Sequence, residues 1–276
     1  MDLSKLKGAM RMSEGGKNRR EAAAAARAAS QSGEKRRERA IRIVGAVTVL
    51  VVVAGIIGIA VVAKSTDTTG TLVTATADPA AAIPAGVYPT GDVNEYGVPY
   101  NASATGVPVL TIWEDFQCPS CANLEETNGA GIVQLADEGK IQLVWRPTTF
   151  LDLRVGNDAS TRAVAAWGCA VDADKTLEYH DVVYKNQPEI EGDGYSDEQL
   201  LTFAADAGIA GPALDTFTQC LADRTYVGWA ANSYDTFLKL NVPGTPAGFL
   251  NGTPLDNTVL ADPVALAAAV AAEAAK

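Results

Sequence analysis

The sequence predicts an α/β domain with a helical insertion, preceded by a single membrane-spanning helix. Three observations predict it. An apolar run at residues 107–113 leads into Cys118-Pro119-Ser120-Cys121 and a helix-like segment, and a second run follows at 141–147, so the order begins strand, helix, strand. Residues 158–241 then read as consecutive helices, after which strand character returns at Ala247-Gly248-Phe249-Leu250. Upstream, residues 43–63 are 21 residues without a charge.

Residues 1–42 hold twelve Lys or Arg against five Asp or Glu, a net +7; the whole chain of 276 residues is −11, so residues 43–276 carry −18. Such an acidic remainder repels nucleic acid and excludes DNA or RNA binding outside the tail. Residues 43–63 would span ~31 Å at ~1.5 Å per residue, the thickness of a hydrocarbon core. A cleaved leader has an apolar region of only about 7–15 residues, so an uncleaved signal anchor in contact with lipid is expected. Arg36, Arg37, Arg39 and Arg42 precede the span and Lys64 follows it. The positive-inside rule therefore puts 1–42 in the cytoplasm and the rest outside, in a single-pass topology at the cell membrane. The basic tail reads as a solvated or lipid-facing segment, with a cytoplasmic partner as the alternative. Residues 64–105, rich in Thr, Ala, Pro and Gly, read as an extracytoplasmic linker. Its second half is expected to pack on the domain, 106–276, through Tyr88, Val93, Tyr96 and Tyr100.

Within the domain, Leu124, Ile132, Val133 and Leu135 supply the buried side of the first helix, Asn128-Gly129 breaks or kinks it, and Gly139 caps it. Ile141, Leu143 and Trp145 alternate with Gln142, Val144 and Arg146 up to Pro147. In the insertion, apolar faces recur at Ala163 to Ala170, at Leu177, Val183 and Tyr184, after a Ser196/Gln199 capping box, after Pro212, and at 227–238. Asn251-Gly252 marks a turn, and Asp262 with Pro263 opens a final helix.

The Cys118-Pro119-Ser120-Cys121 spacing has a chemical reading. Two intervening residues let both sulfurs meet at the first turn of a helix, so dithiol and disulfide are both reachable without rebuilding the backbone. Cys118 then faces unpaired N–H groups and the positive end of the helix dipole, which lower the pKa of such thiols to roughly 3.5–7.5. Pro119 suits the first helical position, and Cys121, one turn on, is the more buried resolving thiol. Two other readings stand beside this one. The pair could be half of a zinc site, although Cys169, Cys220 and the lone His180 offer no second close pair, or it could be a purely structural disulfide. The strand-then-helix context favours the redox pair. No metal ligand set and no cofactor are expected, and His180, without ligating neighbours in the sequence, reads as a core or surface histidine.

All four cysteines fall on the outer side of the span, as an oxidising compartment permits. Cys169 lies beside Trp167, and Cys220 beside Phe217 and Leu221, on apolar-patterned helices. They are expected to form a structural disulfide, with two buried free thiols as the alternative.

Several stretches together carry a family likeness: Asp115-Phe116-Gln117-Cys118-Pro119-Ser120-Cys121, then Tyr179-His180-Asp181 with Asn186-Gln187-Pro188 in the helical insertion, then Val242-Pro243-Gly244-Thr245-Pro246 ahead of Phe249-Leu250-Asn251-Gly252. Over about residues 106–276 the chain resembles the DsbA-like, thioredoxin-fold thiol–disulfide oxidoreductases in their membrane-anchored bacterial form. The resemblance implies a thioredoxin fold with an inserted helical subdomain. It also implies a cis Thr245-Pro246 peptide packed on the active-site sulfurs, with the Thr245 backbone free to pair with an extended substrate. Reoxidation by a membrane quinone-linked partner is a further implication. Two positions depart from the family pattern: Ser120 stands where many relatives carry His, and Ile112, six before Cys118, stands where the fold often buries an acid.

The expected function is a membrane-tethered, extracytoplasmic thiol–disulfide oxidoreductase that oxidises cysteine pairs in unfolded or reduced secreted polypeptides. Cys118 would exchange with substrate, Cys121 would resolve the mixed disulfide, Pro119 and Ser120 would shape the motif, and Thr245 and Pro246 would bind substrate. A reductase or isomerase, and a non-catalytic peptide-binding module with a static disulfide, stay open, because direction depends on potential and partner.

Overall fold

The computed structural model describes residues 72–276. The expected tail 1–42, the span 43–63 and the start of the linker at 64–71 lie outside the described residues. Among those described, no helix is long and apolar enough to cross a membrane.

One five-stranded sheet has the order β1-β3-β2-β4-β5. Strands β2 (Val109–Glu114) and β3 (Gln142–Pro147) run parallel at its centre. Both are covered on their two faces, as central parallel strands are, so the alternation expected along β3 does not separate inside from outside. Val144 and Arg146 are buried along with Leu143 and Trp145. The Arg146 guanidinium is accommodated by lying 4.3 Å over the Trp113 ring and donating to the Glu95 carbonyl at 2.8 Å.

Strand β1 (Val98–Tyr100) pairs antiparallel with β3, Val98 opposite Trp145. It falls inside the stretch read as linker, so the sheet begins before residue 106. Three residues, one of them Pro99, are too few to carry a periodic signal. The preceding chain is held down as well. Trp229 Nε1 donates to the Tyr96 carbonyl at 2.9 Å, and Val73 and Asp78 donate backbone N–H groups to Asp158 and Asn232. Val93, expected to pack, is exposed.

On the other side of β2 lies antiparallel β4 (Ala247–Leu250), followed by the short β5 (Thr253–Pro254). Asn251 and Gly252 join them with φ of 48° and 77°, the two left-handed residues a type I′ hairpin requires.

The crossover from β2 to β3 is one continuous helical run: α1 (Pro119–Leu124), a π-helical turn (Glu125–Gly129) and α2 (Ala130–Asp137). The break expected at Asn128-Gly129 is thus a widened turn rather than an interruption. Asn128 is buried there, and its Nδ2 donates to the Leu260 carbonyl at 2.6 Å.

The insertion starts earlier than residue 158, with α3 (Phe150–Val155), and continues through α4 (Ala159–Asp172), α5 (Thr176–Lys185), α6 (Asp197–Asp206), α7 (Pro212–Ala222) and α8 (Val227–Lys239). Helix α4 is its hub and packs on α5, α7 and α8. Ala163, Ala166 and Ala170 are buried there, and small side chains let neighbouring helices approach. The Ser196/Gln199 capping box forms in full. Cys169 in α4 and Cys220 in α7 are joined by a disulfide of S–S 2.02 Å. After β5 come α9 (Asn257–Leu260) and α10 (Pro263–Ala274), the latter capped by the Asp262 carboxylate.

Candidate active site

The site forms where β2 gives way to α1. Cys118 is the N-cap residue, in extended conformation, and its carbonyl accepts from the N–H groups of Cys121 at 3.0 Å and Ala122 at 3.2 Å. Pro119 takes the first helical position, where a missing N–H costs nothing. Pro119 and Ser120 are exposed; Cys118 is 6% exposed and Cys121 is fully buried, and both cysteines are free thiols.

Sheet register brings in the second half of the site. Because β4 runs antiparallel to β2 with Ala247 opposite Trp113, the residues that enter β4 arrive beside those that leave β2. Thr245-Pro246 is a cis peptide there, and the Cys118 thiol contacts the Thr245 carbonyl with Sγ at 3.4 Å. A surface groove of about 700 Å³ runs along this loop, lined by Val242, Thr245, Pro246 and Phe249 among others.

The two sulfurs are unlike. Hydrogen bonding from Cys121 contributes most to pulling the Cys118 thiol down to about 6; burial opposes it, and Thr245 and the N–H groups of Cys121 and Ser120 assist. Burial pushes the Cys121 thiol up, and Cys118 and Glu114 add to the shift. In the reduced protein, one thiol is therefore expected to titrate near 6 by thiolate absorbance, and that step should vanish in Cys118→Ser. A first ionisation at the unperturbed value of about 8.5 would reject the assignment.

The insertion holds the motif from behind. Gln187 Nε2 donates to the carbonyls of Phe116 at 2.8 Å and Cys118 at 3.1 Å, and the Tyr195 hydroxyl donates to Phe116 at 2.7 Å. Gln117 Nε2 donates to Asp152 and Ser160, while Asp115 accepts from Ser160 Oγ at 2.6 Å and from the N–H groups of Gln117 and Leu151. Burial pushes the Asp115 carboxyl up to about 7 despite those hydrogen bonds.

Beneath the motif is a cluster the sequence did not announce. Ile112 is buried and apolar, as its identity demands, but Glu114 lies two residues along the same strand and hence on the same face, and it is only 5% exposed. Its Oε2 sits 3.1 Å from Nε2 of the buried His180, and Glu125 from the π-helical turn completes the group. The acid missing at Ile112 is thus present one pleat further on. Of the core and surface readings of His180 the core one describes it, and carboxylates from two other elements, distant in sequence, lie beside it. Burial works against charge on His180, yet Asp181, Glu114 and Glu125 outweigh it and raise the imidazole to about 10. Burial and Glu114 push Glu125 up to about 8. In the sequence Glu114 only follows the apolar run 107–113, Glu125 and Tyr195 carry no local signal of a role, and Gln187 stands in a stretch that carries the family likeness without a role of its own. The Cys118/Cys121 pair has the spacing and the helix-start placement from which a disulfide can form and break in place.

A family model described as Thioredoxin matches residues 103–266. Among solved structures, the chain is similar to MdbA, a thiol-disulfide oxidoreductase from Actinomyces oris, at 23% identity and TM-score 0.56, over 69% of this chain and 89% of that one. It is similar to oxidised BdbD from Bacillus subtilis at 18% identity and TM-score 0.57, over 66% of this chain and 94% of that one. It is also similar to reduced DsbA from Mycobacterium tuberculosis at 24% identity and TM-score 0.50, over 68% and 88%. At these identities the likeness is one of fold. A curated protein, the Na(+)/H(+) antiporter NhaA 3 of Salinispora tropica, is 30% identical over 146 residues, 52% of this chain; the match spans 20% of that protein's length.

Proposed function

This chain belongs to the thioredoxin family, and from that premise we propose that it is a membrane-tethered, extracytoplasmic oxidoreductase that oxidises cysteine pairs in secreted or cell-envelope polypeptides. The observation that carries the reading is the asymmetry of the two sulfurs, with Cys118 drawn down to about 6 and Cys121 pushed up. A thiolate-stabilised Cys118 favours the reduced motif and so makes the disulfide form an oxidant. At pH 7 a thiol drawn down to about 6 is mostly ionised, which stabilises the dithiol by roughly 1 kcal/mol and raises the potential by a few tens of mV, on the order of the 30 mV per 1.4 kcal/mol of a two-electron couple.

In one turnover a substrate thiolate attacks the Cys118 sulfur of the Cys118–Cys121 disulfide, and Cys121 leaves and takes up a proton. A second substrate thiolate then attacks the substrate sulfur of the mixed disulfide and releases Cys118 as thiolate. The substrate loses two electrons, and the motif gains them. Each turnover therefore needs an electron acceptor, for which a membrane quinone-linked partner is proposed from the family likeness. Thr245, with its carbonyl beside Cys118, and Pro246 would present backbone to an extended substrate segment lying in the adjoining groove.

Location outside the membrane draws support from the Cys169–Cys220 disulfide, which suits an oxidising compartment, and from the arginines that precede the uncharged residues 43–63. Protease added to intact spheroplasts should remove the domain and spare a short N-terminal fragment; protection of Cys118 would sink the topology.

Equilibration of the motif with glutathione buffers, alongside oxidation of a reduced unfolded protein, tests the activity. A potential well above that of reducing thioredoxins, roughly −270 mV, is expected; one at or below it would favour the reductase. In the same assay Thr245→Arg should slow the unfolded substrate about tenfold more than a small dithiol, since what it disturbs is peptide docking. Equal slowing of both would count against a peptide site at Thr245.

A further inference from the structure

We propose that Glu114, Glu125 and His180 form a binding site for one divalent metal ion of the zinc class beneath the Cys118/Cys121 motif. The three come from the end of β2, the π-helical turn and α5, and one ligand atom of each lies within 4.8 Å of the others. The proposal stands apart from the oxidase reading, since a metal here needs neither sulfur.

Two features point to a ligand rather than to a closed ion pair. Glu114 Oε1 is buried and has no hydrogen-bond partner among the described residues, although buried carboxylate oxygens are costly to leave unpaired. His180 is likewise buried with its Nδ1 lacking a hydrogen-bond partner, and a small, partly open void of about 10 Å³, lined also by Arg146 but not by Glu125, adjoins Glu114 and His180. Access exists from the other side, where Glu125, Asp181 and Tyr184 line a surface cavity.

The donor set chooses the metal. One imidazole nitrogen and two carboxylate oxygens match a three-ligand site with an open fourth position. Calcium would want six to eight oxygens, and imidazole favours zinc and its neighbours. Ligand bonds of roughly 2.0–2.2 Å put tetrahedral ligand atoms about 3.4 Å apart. The 3.1 Å between His180 Nε2 and Glu114 Oε2 is already near that spacing. Glu125, the least buried of the three, has the remaining distance to close. On the far edge of the ring, Asp181 Oδ1 stands 3.7 Å from His180 Nδ1, beyond hydrogen-bond distance, so the ring is not oriented by a bonded carboxylate here. Two carboxylates cancel the 2+ charge, and all three ligands would bind in their deprotonated forms.

The test uses the purified full-length chain with both cysteine pairs oxidised, so that no thiol competes, titrated with Zn2+ against a chromophoric chelator. One equivalent should bind, and Glu125→Gln should weaken it at least about tenfold, a loss that even an outer-shell change can produce. Glu126→Gln, the same change at the exposed neighbour, should leave affinity unaltered. No binding, or equal affinity in the two variants, would overturn the site and leave an acid–base cluster only. If Glu125→Gln does not fold, Co2+ bound to the unaltered oxidised chain decides instead: a tetrahedral nitrogen/oxygen spectrum supports the site, and an octahedral one ends it.

Discussion

Cys118→Ser should reduce catalysed thiol–disulfide exchange to background, a loss of at least roughly a thousandfold, whereas Cys121→Ser should halt the reaction as a covalent adduct. The difference follows from geometry. Cys118 borders the Thr245-Pro246 groove and carries the lowered pKa, so it is the sulfur a substrate meets and the one that can leave again. What places Cys118 at the substrate site is its contact with the Thr245 carbonyl, and its removal takes away the reacting atom itself, a loss of the order seen when a nucleophile is deleted from a catalytic unit. Cys121 is fully buried and held protonated at neutral pH, so it meets Cys118 and no external thiol. Without it no Cys118–Cys121 disulfide exists to oxidise a substrate, and in the reverse direction Cys118 can still exchange with a substrate disulfide, but the mixed disulfide has no internal thiol to resolve it. Mass spectrometry of non-reduced Cys121→Ser after mixing with a disulfide peptide should find that adduct on Cys118. An adduct on Cys121 in the reciprocal variant, with none on Cys118, would reverse the roles assigned here.

What the sequence revealed and what it concealed divide along the range of the interactions. The redox motif, the Ser196/Gln199 capping box, the Asn251-Gly252 hairpin and the Asp262 cap are all set by residues within four positions of one another, and all could be read directly. Strand β1 and helix α3 escaped because three and six residues give no usable period. The region beneath the motif escaped for another reason. Glu114 falls just past the apolar run 107–113, and nothing in the sequence says that β2 stays covered through it, under α5. His180 looked solitary because its carboxylate neighbours lie 66 and 55 positions away along the chain and meet it only when α5 folds over α1. The family comparison pointed to Ile112 as a vacancy. Strand periodicity explains why an acid two residues later can occupy the same face.

Removal of the Cys169–Cys220 bridge by paired Cys169→Ala and Cys220→Ala substitutions should cost roughly 4 kcal/mol and lower Tm by roughly 8–16 °C, while thiol exchange at the motif survives at low temperature. The bond closes a sequence separation of 51 residues and ties α4, the hub of the insertion, to α7. A loop of that length restricts the unfolded chain far more than the short Cys118/Cys121 loop can. Its effect should reach the active site only through stability, because Gln187 and Tyr195, which hold the motif backbone, lie in the segment between α5 and α6 and not on the bridged helices. Burial does not separate the two pairs, since Cys220 is half-buried while Cys118 and Cys121 are both buried; what separates them is the lowered pKa of Cys118, which makes its sulfur the better leaving group. Graded reduction with glutathione, followed by alkylation and peptide mapping, should accordingly label Cys118 and Cys121 well before Cys169 and Cys220. Labelling of all four at one potential, or an unchanged Tm in the paired variant, would show that the bridge neither resists exchange nor constrains the unfolded chain as its span requires.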